Sequence, residues 1–144
     1  MAKVLVYYSL SGNTEAAAKA VAAGSERVSG TEVRVKEATE ATEEDLRDCD
    51  AIAVGTYDAF SYMAGGLKDF FDRTYYPTQG QVTDKPYAAF VTHGGGGRAI
   101  DSVEKICGSF KLRKVADPVL IRGRPDSVGE VQLQDLGMKL TQAI

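Results

Sequence analysis

Cysteine is scarce in this 144-residue chain, histidine occurs once and tryptophan not at all. The two thiols, Cys49 and Cys107, are far apart and in no C-x-x-C pair, so they offer neither a disulfide framework nor a zinc site. They suit a reducing compartment. No apolar run approaches the roughly 18 residues of a membrane-spanning helix, and the first residues lack the basic, apolar and cleavage segments of a secretory signal. The expectation is a cytoplasmic protein with no metal. Basic charge is not in excess: 17 Lys and Arg face 20 Asp and Glu, for a formal charge of -3. Net electrostatics therefore do not draw the chain to a phosphate-rich polymer, and neither nucleic acid nor a membrane is an expected partner. Two nucleotide signatures are also missing, the P-loop G-x-x-x-x-G-K-[ST] and the dinucleotide G-x-G-x-x-G.

What is present fits one folded domain spanning 1–144. Hydrophobic residues make up 44% and charged residues 26%, which leaves little room for an extended disordered region. Apolar runs typical of doubly buried strands occupy 4–8, 51–54 and 87–91, with weaker ones at 33–37 and 119–121. Helical spacing lies between them, at Ala17, Ala20 and Val21; at Leu67, Phe70, Phe71 and Thr74; at Ile100, Val103 and Cys107; and at Leu133, Leu136 and Leu140. Thr42 precedes Glu43-Glu44-Asp45, Ser127 precedes Glu130 at a capping-box spacing, and Gly108 is a plausible helix stop. Strand and helix alternate throughout, so an α/β domain with a parallel sheet covered on both faces is expected. In such sheets ligands sit beyond the carboxyl ends of the strands.

Three loops at that end hold the distinctive residues. Ser9-Leu10-Ser11-Gly12-Asn13-Thr14 follow the first strand and precede a helix-forming stretch. Hydroxyls, a carboxamide and backbone N–H groups would converge at a helix N-terminus, where unpaired amides and the positive dipole end favour a phosphate. No Lys or Arg is among them, which points to a monoester phosphate held by neutral donors. A single such hydroxyl would be read as an ordinary N-cap; six residues in this context are read as an anion cradle.

This hexapeptide resembles the phosphate loop of flavodoxins, which bind flavin mononucleotide (FMN) through a hydroxyl-rich S/T-x-S/T-G-x-T pattern. The resemblance extends over nearly the whole chain, and residues 119–121 run into the last helix without the insertion of long-chain members, so the short-chain type is implied. It implies a flavodoxin-like three-layer α/β/α sandwich with a five-stranded parallel sheet of order 2-1-3-4-5. It also implies noncovalent FMN.

The second loop, with Thr56, Tyr57, Asp58, Ala59 and Phe60, is similar to the post-strand-3 loop of flavodoxin-like quinone reductases and short flavodoxins. There an aromatic residue lies against the isoalloxazine and a Met-Ala-Gly-like segment opens the next helix. Tyr57, Phe60 and Tyr62 are the stacking candidates, and each has packing inward as its alternative. Phe70 and Phe71 are expected in the core. The third loop carries Thr92, His93, Gly94 and Gly95 in a run of four glycines; it either brings bare backbone to the pyrimidine side of the flavin or is a plain turn. The lone His93 has three readings: a structural hydrogen bond, a flavin contact, or a catalytic proton donor.

Cys107 and Arg113 match the C-x5-R phosphatase loop, but helix precedes and strand follows, the reverse of what that chemistry needs. The acid-rich stretch 40–50 is as readily a helix N-terminus as a docking patch. The reading is an FMN-binding electron carrier with redox partner proteins: a ferredoxin-type or flavodoxin reductase and a downstream acceptor. An NAD(P)H-dependent flavin or quinone reductase, and an apo scaffold for a protein partner, remain as alternatives. The second loop lacks the Trp and the acid-rich character of many electron-carrying relatives, having only Asp58. A monomer or small homo-oligomer is expected.

Overall fold

The computed structural model describes all 144 residues. Strand β1, Ala2–Tyr8, is buried from Val4 onward because both of its faces are covered. Its side chains divide by the two-residue period of a strand. Leu5 and Tyr7 enter one core, Val4, Val6 and Tyr8 the other. β1 pairs in parallel with β2, Thr31–Glu37, on one side and with β3, Ala51–Ala59, on the other. β5, Pro86–His93, follows β3, again in parallel.

Helices α1, Gly12–Glu26, and α5, Ser127–Gln142, cover one face; α2, Glu43–Asp48, α3, Gly65–Thr78, and α4, Ala99–Ser109, cover the other. The first pair packs backbone to backbone. A Cβ at Gly24 would run into Gln134 O, and one at Gly137 into Val21 O. Only glycine lets the helix axes come this near. On the other face, Tyr7 lies 4.3 Å from the Phe70 ring and Phe71 lies 5.3 Å from Phe110, a packed aromatic layer in which Phe70 and Phe71 are buried as expected. No helix is long and apolar enough to cross a membrane.

The α/β flavodoxin-like architecture with a parallel sheet is present, but the expected five-stranded 2-1-3-4-5 sheet needs correction. The sheet has seven strands: five along the path β2-β1-β3-β5-β6, the last being Arg113–Lys114, and two off it, β4 (Tyr62–Met63) paired to β3 and β7 (Val119–Arg122) paired to β5. Two local causes account for the difference. The last edge position is shared by β6, Arg113–Lys114, beside the start of β5, and β7, Val119–Arg122, beside its end. Pro118, just before β7, has no N–H to offer the ladder. β4, Tyr62–Met63, is antiparallel to the end of β3, which runs on past the expected limit at 54. The two strands form a hairpin turning on Phe60 and Ser61, with φ of 58° and 63°. That backbone is the one Asn-Gly usually supplies, so this turn carried no sequence signal.

Thr42 caps α2 in a reciprocal capping box with Asp45. α5 is capped differently from expectation. Asp126, not Ser127, is the N-cap, its carboxylate accepting from Gly129 N–H at 2.8 Å. α4 runs one residue past Gly108, and Lys111 then turns the chain at φ 61°.

Candidate functional site

The carboxyl ends of β1, β3 and β5 lie side by side, with Tyr8 opposite Gly55 and Tyr57 opposite Thr92. The three loops that leave them therefore start as neighbours. In the first, only Ser9, Leu10 and Ser11 are loop; Gly12, Asn13 and Thr14 already form the first turn of α1. Ser11 is its N-cap, with φ -152° and ψ 157°, and its hydroxyl accepts from Thr14 N–H at 3.1 Å. The Ser11 and Thr14 hydroxyls are hydrogen-bonded at 2.7 Å, and the buried Thr14 hydroxyl also meets that of Thr92 at 2.7 Å. That second bond joins the first loop to the third. Leu10 and Asn13 are exposed, and Gly12 has open space where a side chain would stand.

Ser9 is different. It is 2% exposed, and its hydroxyl has no hydrogen-bond partner. A buried polar atom left unpaired costs about 1–3 kcal/mol, so native structures seldom keep one without a partner; Tyr7 Oη in the core and Thr31 Oγ1 are also unpaired, and Ser9 is the one in this loop. Nδ1 of His93, at the end of β5, is unpaired as well. Its ring stands close to the backbone at Gly97, where φ is 72° and a Cβ would lie 3.2 Å from His93 Cδ2.

In the second loop Thr56 is fully buried and its hydroxyl is doubly used, donating to Tyr57 O at 2.7 Å and accepting from Ala64 N–H at 2.9 Å. Asp58 bridges two elements. One oxygen accepts from Ser61 N–H at 2.8 Å inside the hairpin, the other from Ala99 N–H at 3.1 Å at the start of α4. Arg98, at the cap position of α4, supplies no side-chain bond, so Asp58 takes that part from 41 residues away. Tyr57 and Ala59 are half-buried; Phe60 stands wholly in solvent at the hairpin tip, and Tyr62 is exposed. In the third loop Thr92 is buried, while Gly94 and Gly95 are exposed.

Three residues escaped the sequence reading. Ser102 accepts from Met63 N–H at 3.0 Å and donates to Ala99 O at 2.7 Å, locking β4 to α4. Tyr8 donates to Glu15 at 3.3 Å; burial, then Glu15, Glu37 and Glu40, push its phenol up. Gly66, in the first turn of α3, faces Ser9: its Cβ would stand 3.8 Å from the Ser9 hydroxyl. Only a spacing of 57 residues in the chain separates such a pair, and no periodicity announces it.

Other features lie elsewhere. A cavity of about 320 Å³ between the carboxyl ends of α3 and α4, lined by Tyr75, Thr78, Val82 and Phe110 among others, has no unpaired buried polar atom in its walls. Cys107 is fully buried within α4 and burial drives its thiol well up, away from the thiolate that a C-x5-R loop needs. Burial likewise pushes the Cys49 thiol up to about 12.

The first site thus offers an anion the free Ser9 hydroxyl and the amides of a helix start, and the neighbouring loops carry the half-buried Tyr57, the exposed Tyr62 and bare glycine backbone. This donor set fits a phosphomonoester joined to a flat ring.

Comparison with known proteins bears on the family of the whole chain. A sequence model described as Flavodoxin matches residues 5–143. A flavodoxin from Aquifex aeolicus (strain VF5) is 36% identical over 131 residues, 90% of this chain and 69% of that protein. A solved flavodoxin from the domain Archaea superposes with a TM-score of 0.87 at 28% identity, covering 99% of this chain and 98% of its own. The oxidised Flavodoxin 2 of Bacillus cereus, at 21% identity, shares the fold with a TM-score of 0.86 over 99% of this chain and 100% of its own.

Proposed function

The chain belongs to the flavodoxin family, and from that premise we propose that its three loops seat FMN for one-electron traffic between proteins. It is an FMN-binding electron carrier of the short-chain type. The observation that supports this seat is the buried, unpartnered Ser9 hydroxyl between the end of β1 and the start of α1. When bound, FMN supplies the redox chemistry through its isoalloxazine ring.

In this reading Ser9, Leu10, Ser11, Gly12, Asn13 and Thr14 hold the phosphate. Ser9 brings a free hydroxyl, and the first turn of α1 brings its amides and dipole. Leu10 stands outward at 56% exposure, so its part in the cradle is its backbone. Thr56 and Asp58 act through the scaffold: the first anchors the entry to α3, the second ties the hairpin to α4. Tyr57, Ala59 and Phe60 line the ring side together with Thr92, His93, Gly94 and Gly95. Nδ1 of His93 is the polar atom there in want of a partner.

Redox partner proteins deliver and remove the electron. We assign a ferredoxin-type or flavodoxin reductase as donor, and the exposed Leu10, Phe60 and Tyr62 give a partner an apolar rim to meet. At about 0.3 kcal/mol per non-hydrogen atom, a ligand of about thirty such atoms binds with about 9 kcal/mol, or sub-micromolar affinity. The purified protein should therefore be yellow, or take up FMN stoichiometrically. Under anaerobic conditions it should accept electrons from a flavodoxin reductase and ignore NADH and NADPH supplied alone. Rapid bleaching by nicotinamide would make it a reductase instead, and failure to take up FMN would reject both readings.

A further inference from the structure

The hydroxyls at the start of α1 are largely engaged. Ser11 caps the helix, Thr14 is shared between Ser11 and Thr92, and Asn13 faces solvent. The one buried hydroxyl left over on this loop, Ser9, lies on the side of α3. It and Thr39 Cγ2 are the only atoms within 4 Å of where a Gly66 Cβ would stand, at 3.8 and 3.3 Å.

α3 itself begins in an unusual way. Over its 14 residues it opens with Gly65 and Gly66, has no side-chain cap at Ala64 and no acidic residue in its first turn. Its first amides therefore have no intrahelical acceptor, and no acidic residue in the first turn offsets its positive end. Glycine is the poorest helix former after proline, so two in succession at the opening need a reason. Bare backbone gives an anion access to both amides with no side chain in the way.

We propose that the N-terminus of α3 is the second wall of the phosphate seat, where the Gly65 and Gly66 amides converge with the Ser9 hydroxyl on one phosphomonoester dianion. Two helix starts then face the same charge, which explains how a site with no Lys or Arg in residues 9–14 holds it. The inference rests on residues 9–14 being the phosphate cradle, and it assigns to α3 the discrimination between a phosphorylated flavin and its dephosphorylated form.

The test compares FMN with riboflavin on the apoprotein, by flavin fluorescence quenching. Gly65→Pro removes one amide donor at the first helical position, where proline is tolerated. Ala64, at φ -64° and ψ 151°, already has the backbone that precedes proline, and no atom lies within 4 Å of a Cβ at Gly65. Gly66→Ala is the second variant; it improves helix propensity while narrowing the gap to Ser9. Wild type should prefer FMN to riboflavin. Both variants should bind FMN more weakly, by about tenfold to a hundredfold for the proline, with riboflavin affinity unchanged. If the variants keep the wild-type preference, or lose both flavins equally, the role of α3 is refuted while the cradle at 9–14 stands. If wild type itself binds the two flavins equally, the cradle fails and this inference with it.

Discussion

Ser9→Ala should move two measurements in opposite directions. In the apoprotein the Ser9 hydroxyl is buried without a partner, and such a group costs about 1–3 kcal/mol. Removing one oxygen from that spot removes the penalty and leaves a cavity too small to matter, so the apoprotein should gain on the order of 1 kcal/mol. At about 2.1 cal/mol/K of unfolding entropy per residue, a chain of this length shifts Tm by about 3 °C for each kcal/mol. The variant apoprotein should therefore melt about 3 °C higher. FMN binding should move the other way. A hydroxyl donating to a phosphate dianion contributes roughly 1.5–3 kcal/mol, so affinity should fall by about tenfold to a hundredfold. Differential scanning calorimetry of the apoprotein and an FMN titration read the two effects separately. A variant that melts lower and binds FMN as tightly as wild type would show that Ser9 is a structural residue, and would remove the ground for the cradle.

Three further outcomes are expected. Asp58→Ala deprives both Ser61 and Ala99 of their acceptor, at a cost of about 1–3 kcal/mol, and amide exchange at those two positions should accelerate more than at neighbouring residues of α4; uniform acceleration would contradict the bridging role. Gly137→Ala should cost about 1–3 kcal/mol in urea unfolding because its Cβ meets Val21 O and the Ser25 backbone, whereas Gly108→Ala, with open space at the same point, should stabilise α4 by up to about 1 kcal/mol. Asp45 gives a pH signature: burial works to raise its carboxyl, but the Lys36 ammonium at 2.9 Å and the Thr42 amide and hydroxyl at 2.9 and 3.1 Å win and hold it below the usual range. A carboxyl lowered on folding stabilises fully above its unfolded pKa of about 4 and loses that contribution as pH falls through its folded value. The stability gap between wild type and Asp45→Asn should thus be constant near neutrality and close at acid pH; a gap unchanged down to pH 3 would sink this account.

Much of this was legible before the structure, and for identifiable reasons. A strand buried on both faces must be apolar at consecutive positions, so residues 4–8, 51–54 and 87–91 stood out. Their assignment to alternate cores then follows from the two-residue period. Thr42 was readable as a cap because its partners are its immediate neighbours. At Asp126 and Ser127 the same logic slipped by one residue, because both side chains can accept an amide hydrogen bond and only the backbone decides which does. The β3–β4 hairpin was hidden because Phe60 and Ser61 adopt a backbone that favours Asn and Gly. The polar cross-links were hidden for another reason: Thr14 to Thr92, Thr56 to Ala64, Met63 to Ser102 and Asp58 to Ala99 are set by tertiary neighbours, and local pattern has no access to them.

Those four bonds also explain why the unpaired atoms are informative. Each takes a polar group of one loop and satisfies it on another element, with no ligand involved, so the loops after β1, β3 and β5 are held in place by the protein alone. An electron carrier needs this, because a seat that shifts between states would add its own reorganisation to every transfer, and a preorganised site keeps its groups where the ligand requires them. Once the scaffold has used Thr14, Thr56, Asp58, Thr92 and Ser102, few buried polar atoms are left over near the site. Ser9 Oγ lies between the starts of α1 and α3, and His93 Nδ1 lies beside the glycine loop. Leaving two such groups unpaired costs stability with no structural return. Their positions, one at the start of α1 and one beside the glycine loop, are where the proposed ligand, with a phosphate at one end and a polar heterocycle at the other, would repay that cost.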